Sequence, residues 1–297
     1  MMEAKEGTWS VKGKYVIITG ATSGIGLAAA KELVKRGAIV GIIARSQSKA
    51  EATAAALKAA AGKEAKVDIF LADLTSQQSI RDAAKDIQNR WPRLDVLINN
   101  AGAMFVKYLT TEDGIEMTWA VNHLAPFLLT KLLLNKLKES GHGRIITTAS
   151  HGHKMARTGI GFDDQSGRKN FRFPHLLMGG PNFRYGETKL ANIMFTAELG
   201  RRLKGTGITA ACFDPGLVST NFNQDNGTLA RMTMSVMKRF SRTPEKGAET
   251  LVWLADSDEM SLSSGHYYKD MQRTVPSNQA QDPAAAKQLW EMSENQL

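Results

Sequence analysis

Six short runs rich in valine and isoleucine, each followed by a polar or glycine turn and then a helical stretch, constrain this chain most. They are KYVIITG (14–20), AIVGIIA (38–44), KVDIFLA (66–72), LDVLINN (94–100), GRIITTAS (143–150) and GITAACFDP (207–215); GHYYK (265–269) completes the series. The runs are almost continuously apolar rather than alternating, as strands covered on both faces of a parallel sheet are. Helical segments are expected at 24–36, 47–61, 76–90, 112–139 and 183–204. A further helix, TPEKGAETLVWLA (243–255), opens with Thr243 as N-cap and Pro244 in its first turn. Alternation of this kind predicts an α/β, doubly wound, mostly parallel sheet of about seven strands with helices on both faces. No linker interrupts it, so residues 1–297 are expected to form one domain. Two segments break the rhythm: an insertion at 151–182 and a stretch at 217–242 expected to serve as a substrate loop or lid.

Composition bounds the rest. The single cysteine, Cys212, excludes an internal disulfide and reads as a small core residue of a protein in a reducing compartment. The N-terminal MMEAKEGTWSVKGK has no apolar core, and no stretch approaches bilayer-spanning length. A cytoplasmic chain without stable membrane insertion is expected. Net charge is +9, but the basic residues are scattered and no aromatic-interleaved stripe is present, so nucleic acid is not an expected partner.

TGATSGIG (19–26) follows the first strand and opens the first helix. Gly20, Gly24 and Gly26 permit a tight turn and close backbone approach to a pyrophosphate, with Thr22, Ser23 and Ile25 in the same turn. Strand, turn and helix in this order predict a dinucleotide site on a Rossmann fold. Arg45 and Ser46 lie at the end of the second strand. An acid there would bind a ribose 2′-OH, whereas a base accommodates a 2′-phosphate, so NADP is expected over NAD. Asp73, followed by Leu74, ends the third strand and can bond an adenine amino group. Asn100, Ala101 and Gly102 of NNAG end the fourth, where small residues let the chain pass close to a ribose.

Asn122, in the long fourth helix, Ser150, at the end of the fifth strand, and Tyr185 and Lys189 of YGETK converge by topology. A rise of ~1.5 Å per residue puts Tyr185 and Lys189 about 6 Å apart on one helix face. Lys189 is therefore expected to lower the phenol from its usual ~10. A phenol so tuned can take a proton from an alcohol or give one to a carbonyl. Ser150 would hold the substrate oxygen. Taken singly, Asn122 could equally cap or repair a helix near Pro126, and Ser150 could equally make a strand-end turn.

Together these motifs resemble the short-chain dehydrogenase/reductase family over about residues 13–220: TGATSGIG, Asp73-Leu74, NNAG, Asn122, Ser150, YGETK and DPGLVST (214–220). NHLAPFLLT, YGETKLANIMFTAELGRRLKG and SGHYYKD…AAAKQLWEMSE resemble its retinol-dehydrogenase-like branch. The resemblance implies NADP(H), a catalytic Asn122–Ser150–Tyr185–Lys189 tetrad, and an apolar alcohol or carbonyl substrate. It implies that Tyr185 and Lys189 also touch the cofactor, Lys189 through the nicotinamide ribose hydroxyls. Pro215, Gly216, Val218 and Thr220 would border the nicotinamide, and Asn122 would steady a water joining Lys189 to solvent. A homodimer or homotetramer is compatible with it. Two features depart from the branch. Ser150 and Tyr185 are 35 positions apart, longer than usual, and the hydrophobic N-terminal anchor of membrane-bound relatives is missing from this sequence.

His151 and His153 form an HxH without a third ligand nearby, so solvent or substrate-loop roles are expected and no metal. Met104, Phe105 and Phe222 flank the expected pocket mouth, with core packing an equal reading. Leu229, Met232, Val236 and Phe240 recur at helical spacing beside Arg231, Lys238, Arg239 and Arg242. That helix packs on the body, closes as a lid, or touches a membrane surface. Two other functions stay open: an NADPH-binding regulator without turnover, and a C=C reductase like the protochlorophyllide reductases, against which the lone cysteine argues.

Overall fold

The computed structural model describes residues 9–62, 64–218, 241–258 and 264–297. Strands β1 (Tyr15–Thr19), β2 (Ile39–Ala44), β3 (Val67–Leu71), β4 (Val96–Asn99), β5 (Arg144–Thr148), β6 (Thr209–Asp214), β7 (His266–Lys269) and β8 (Gln272–Arg273) form an eight-stranded sheet in the order β3-β2-β1-β4-β5-β6-β7-β8. All neighbours pair in parallel except β7 and β8. This is the predicted doubly wound Rossmann sheet with one more strand. The extra strand is a two-residue antiparallel return, reached through Asp270 and Met271 at φ 50° and 61°. With no glycine at the turn, nothing in the local residues signals it.

Among the described residues the α-helices are α1 (Gly24–Lys35), α2 (Gln47–Ala61), α3 (Gln77–Arg90), α4 (Met117–Trp119), α5 (Ala125–Lys138), α6 (Gly180–Arg202), α7 (Pro244–Asp256) and α8 (Pro283–Asn295). Two apolar clusters sandwich the sheet. One sets Val16, Ile18, Val40 and Ile98 against Ala29, Leu33 and Leu251. The other sets Ile17, Leu97 and Ile145 against Ile80, Phe127, Leu133 and Phe195. Residues adjacent along β1 thus face opposite layers, both dry, which accounts for the unbroken apolar runs.

The expected helix over 112–139 begins later. Gly114 at φ +76° makes a turn closed by a bridge between Thr110 and Glu116. The Glu116 carboxylate then caps α4, accepting from Thr118 and Trp119 backbone N–H groups at 2.8 and 3.0 Å. Between α4 and α5 the chain widens into a π-helical turn, Ala120–Leu124, with Asn122 at its centre. Helix α6 begins three residues before the expected 183, with Pro181 in its first turn and its last residue at Arg202. Within the insertion, His151–Met155 and Arg168–Phe171 form short 3₁₀ turns. Among the described residues, no helix is long and apolar enough to cross a membrane.

Candidate active site

The crevice where the strand order reverses, between β1 and β4, is built by glycine and one threonine. Gly20 and Gly24 have φ of +70° and +55°. A Cβ on Gly26 would lie 2.3 Å from the Gly20 carbonyl oxygen and 2.5 Å from Asn100 Nδ2. A Cβ on Gly20 would meet Ala101 Cα at 2.9 Å. The turn is therefore folded hard onto NNAG, with no room for side chains. Thr19 Oγ1 accepts from the backbone N–H groups of Asn100 and Ala101 at 2.9 and 3.0 Å, and Asn100 Nδ2 donates to the Thr19 carbonyl at 3.0 Å. Thr148 Oγ1 donates to Asn100 Oδ1 at 3.3 Å, so the ends of β1, β4 and β5 are tied together. Ser23 precedes α1 in an extended conformation, and its side chain caps nothing, leaving the first-turn N–H groups facing the crevice.

The peripheral residues follow the same rim. Thr22, Ser23 and Ile25 line the turn, and Arg45 is exposed at the end of β2. Ser46 N-caps α2, accepting from Lys49 N–H at 3.4 Å. Asp73 is exposed, one oxygen accepting from Thr75 N–H and Oγ1 at 2.9 and 2.8 Å, with Leu74 half-buried beside it. Val218 packs against Gly247, where an added Cβ would be 2.6 Å from its methyl, and Ile25 lies on the same spot. Gly216, at φ +77°, turns the chain after Pro215. Thr220, Phe222 and the helix expected over 229–240 lie outside the described residues.

The four residues of the expected tetrad meet. Ser150, two residues past β5, caps the His151–Met155 turn, its Oγ accepting from Gly152 N–H at 3.0 Å and bonded to the Tyr185 phenol. Lys189 is buried, its Nζ donating to the Thr148 carbonyl at 2.9 Å and lying 5.6 Å from the Tyr185 ring centre. Asn122 Oδ1 accepts from Ala103 N–H, and its Nδ2 donates to the Ala103 carbonyl, both at 2.8 Å. The same Nδ2 donates to Thr188 Oγ1 at 3.1 Å. A Cβ on Gly102 would touch Asn122 Oδ1 at 3.4 Å and Lys189 Nζ at 3.5 Å, so these three converge on one small space. The π-helical turn explains how Asn122 reaches it: the wider turn swings the side chain toward α6.

The electrostatics depart from expectation. Burial pushes the Tyr185 phenol up to about 12; the Ser150 hydrogen bond pulls it back and the Asp214 carboxylate adds to the rise. Lys189 does not pull it down: burial drops the lysine itself to about 8, so it is already neutral where the phenol titrates. Cys212 is buried and its thiol is raised to about 12 by burial, consistent with a core role.

Three structural features were missed in the sequence. Asp214 ends β6 almost fully buried, with one oxygen accepting from Gly216 N–H at 2.9 Å and the other 3.9 Å from His151 Nδ1. His151 is exposed at the mouth, where Met104 is half-buried. His153 is not a solvent or substrate-loop residue. It is fully buried, Nδ1 bonded to the Ser150 carbonyl at 2.7 Å and Nε2 accepting from Ser277 N–H at 3.2 Å. It therefore ties the Ser150 turn to the C-terminal segment. Finally, Arg184 pairs with Glu116 at 2.9 Å and Glu187 at 3.1 Å, all buried, and donates to the Gln165 carbonyl at 3.2 Å. That cluster pins the insertion and the α4 cap to α6, one residue before Tyr185. Among the described residues no group of three or more His, Cys, Asp or Glu could hold a metal ion.

Comparison with known proteins agrees with this geometry. A family model for the short chain dehydrogenases matches residues 14–161. The chain is 39% identical to human retinol dehydrogenase 14 over 297 aligned positions, covering 95% of the chain and 85% of the relative. It is 38% identical to human retinol dehydrogenase 11, covering 96% and 86%. Among solved structures, a putative uncharacterized protein from Mycobacterium paratuberculosis superimposes with a TM-score of 0.75 at 32% identity, covering 97% of this chain and 95% of that one. A short chain dehydrogenase from Burkholderia cenocepacia in complex with NADP gives 0.67 at 26% identity, covering 88% and 97%. The chain belongs to the short-chain dehydrogenase/reductase family. Within it, the retinol dehydrogenases set its branch, and the protein is a nicotinamide-linked oxidoreductase acting on small molecules.

Proposed function

We propose that this protein is an NADP(H)-dependent oxidoreductase that interconverts an apolar carbonyl compound and its alcohol, with Tyr185 as the general acid/base. The observation that carries the reading is the convergence of Tyr185, Ser150, Lys189 and Asn122 beside a side-chain-free crevice at Gly20, Gly26 and Gly102. The tight packing of Gly20 and Gly26 onto NNAG leaves backbone that a dinucleotide can approach, and the uncapped α1 N-terminus offers N–H groups to a pyrophosphate.

In this reading Thr22, Ser23 and Ile25 share the phosphate turn, Arg45 and Ser46 take a 2′-phosphate, and Asp73 takes the adenine edge. Asn100, Ala101 and Gly102 line the ribose side, and Pro215, Gly216 and Val218 border the nicotinamide. The bound nicotinamide supplies or accepts the hydride. The protein's own residues handle the proton. Ser150 Oγ donates to the substrate oxygen and holds it against the Tyr185 hydroxyl. The buried phenol is protonated at neutral pH, so Tyr185 can give its proton to a carbonyl and, in the reverse direction, take one from the alcohol. Lys189 sits behind it, held by Thr148 at the 2.9 Å bond, and Asn122 fixes the loop through Ala103. The relatives are named for retinol, an apolar alcohol, and one structural neighbour is an NADP complex; both support the substrate and cofactor chosen.

The test is NADPH consumption against a panel of apolar aldehydes and ketones. Tyr185→Phe is expected to lower turnover ~10²–10⁴-fold with NADPH binding retained. Arg45→Asp is expected to erode the preference for NADPH over NADH. Tight NADPH binding without turnover on any carbonyl would favour a cofactor-sensing regulator instead, and unchanged selectivity in the Arg45 variant would remove NADP from the proposal.

A further inference from the structure

Residues 172–178, RFPHLLM, are exposed without a break, immediately before α6. Four are large apolar side chains: Phe173 is 80% exposed, Leu176 46%, Leu177 80% and Met178 65%. At ~150–250 Å² for a large side chain this is roughly 500 Å² of apolar surface. Exposed patches of that size mark interaction sites.

The segment is a built turn. Leu176 N–H bonds the Arg172 carbonyl at 2.9 Å, Met178 N–H the His175 carbonyl at 3.0 Å, and Gly180 N–H the His175 carbonyl at 2.9 Å. At its base, a Cβ on Gly180 would lie 1.6 Å from the Asn170 carbonyl oxygen, so the two ends are pressed together. The N–H groups of Leu176, Leu177, Met178, Gly179 and Gly180 are thus bonded within the turn while the apolar side chains are exposed, which lowers the cost of leaving water. Its charge is predominantly positive. No acid occurs between Asp164 and Glu187, whereas Arg168, Lys169, Arg172 and His175 are exposed. The neighbouring 103–109 loop adds exposed Lys107, Val106 and Leu109 and is joined to the insertion by Tyr108, whose ring meets Phe171 at 5.6 Å and lies under Arg168 at 5.4 Å.

We infer that this turn docks the protein on an anionic lipid bilayer. Phe173, Leu176, Leu177 and Met178 enter the boundary between headgroups and acyl chains, and Arg168, Lys169 and Arg172 pair with lipid phosphates. Charge selects this occupant: apolar tips flanked by exposed Arg168, Lys169, Arg172 and Lys107 complement an interface that is apolar inside and negative at its edge. Because α6 starts at Gly180 and carries Tyr185, docking brings the reacting end to the bilayer surface. That last placement rests on the reading of Tyr185 given above; the docking itself does not.

The experiment is vesicle co-sedimentation of the full chain, with phosphatidylcholine vesicles and with vesicles containing about one-third phosphatidylserine. Binding to the anionic vesicles is expected, weakened by high salt. Phe173→Ser with Leu177→Ser is expected to lower the partition coefficient at least about tenfold. The same double variant should keep the wild-type melting temperature and NADPH affinity, which separates lost docking from lost folding. Lys169→Glu with Arg172→Glu should weaken binding to anionic vesicles selectively. Failure of the wild type to bind anionic vesicles would overturn the inference, as would wild-type binding by the Phe173/Leu177 variant. Concentration-dependent self-association that the double variant abolishes would assign the patch to a second copy and overturn it as well.

Discussion

Replacing Lys189 with methionine should make the protein more stable while nearly abolishing its chemistry. Lys189 is 3% exposed, and burial lowers its ammonium from 10.5 to about 8. A fall of that size corresponds to on the order of 3 kcal/mol against the charged form in the fold. The sign follows from proton counting. Between those pH values the unfolded chain holds a proton that the folded chain has released, so stability rises as pH climbs through the window. Below pH about 8 the penalty is fully present. Methionine removes the penalty and one hydrogen bond, Nζ to the Thr148 carbonyl at 2.9 Å. That carbonyl keeps Asn192 Nδ2 at 3.3 Å, so losing the lysine costs only about 1 kcal/mol. The net gain at neutral pH is on the order of 2 kcal/mol, or roughly 4–8 °C in Tm. Thermal scans of cofactor-free protein at neutral pH and near the lysine's ordinary value measure it. Lys189→Met should melt higher at neutral pH, and the gap should close as pH rises. A variant that melts at or below the wild type at neutral pH, or a gap independent of pH, would refute the reasoning. Turnover should fall ~10²–10⁴-fold in the same variant.

Arg184→Met should act oppositely, stranding the buried Glu116 carboxylate and costing about 3–5 kcal/mol, with a second Glu116→Gln substitution recovering part of the lost Tm. Asp214→Asn removes an anion that raises Tyr185, so the basic limb of the pH–kcat/KM profile should move to lower pH; movement upward would contradict the geometry. Gly26→Ala places a methyl 2.3 Å from the Gly20 carbonyl, and calorimetric titration should show a large loss of NADPH affinity with a smaller loss of Tm.

The legibility of these features in the sequence varied for physical reasons. TGATSGIG and YGETK are local: a strand end, a glycine turn and a helix start lie within a few residues, and backbone sterics decide their shape. Topology places Asn122 near Ser150, Tyr185 and Lys189, but its π-helical turn is not legible, because widening one turn leaves no periodicity signal over five residues. His153 and Asp214 look ordinary in the chain. Their meaning comes from Ser277, 124 positions away from His153, and from Tyr185, on another element. The phenol's direction was misread for the same cause. Spacing shows that Lys189 is near Tyr185, but burial of both groups decides the sign, and burial is a property of the whole packing.

By itself the sequence determined the doubly wound sheet, the glycine turn after β1 and the spacing of Tyr185 and Lys189 on one helix, because strand periodicity, glycine conformational freedom and helix spacing are set by near neighbours. Only the tertiary structure decided that the phenol rises rather than falls, that a buried Arg184–Glu116 pair clamps the insertion, and that RFPHLLM faces outward. Those three depend on which surfaces lose water when distant segments pack, and desolvation is not written in local order.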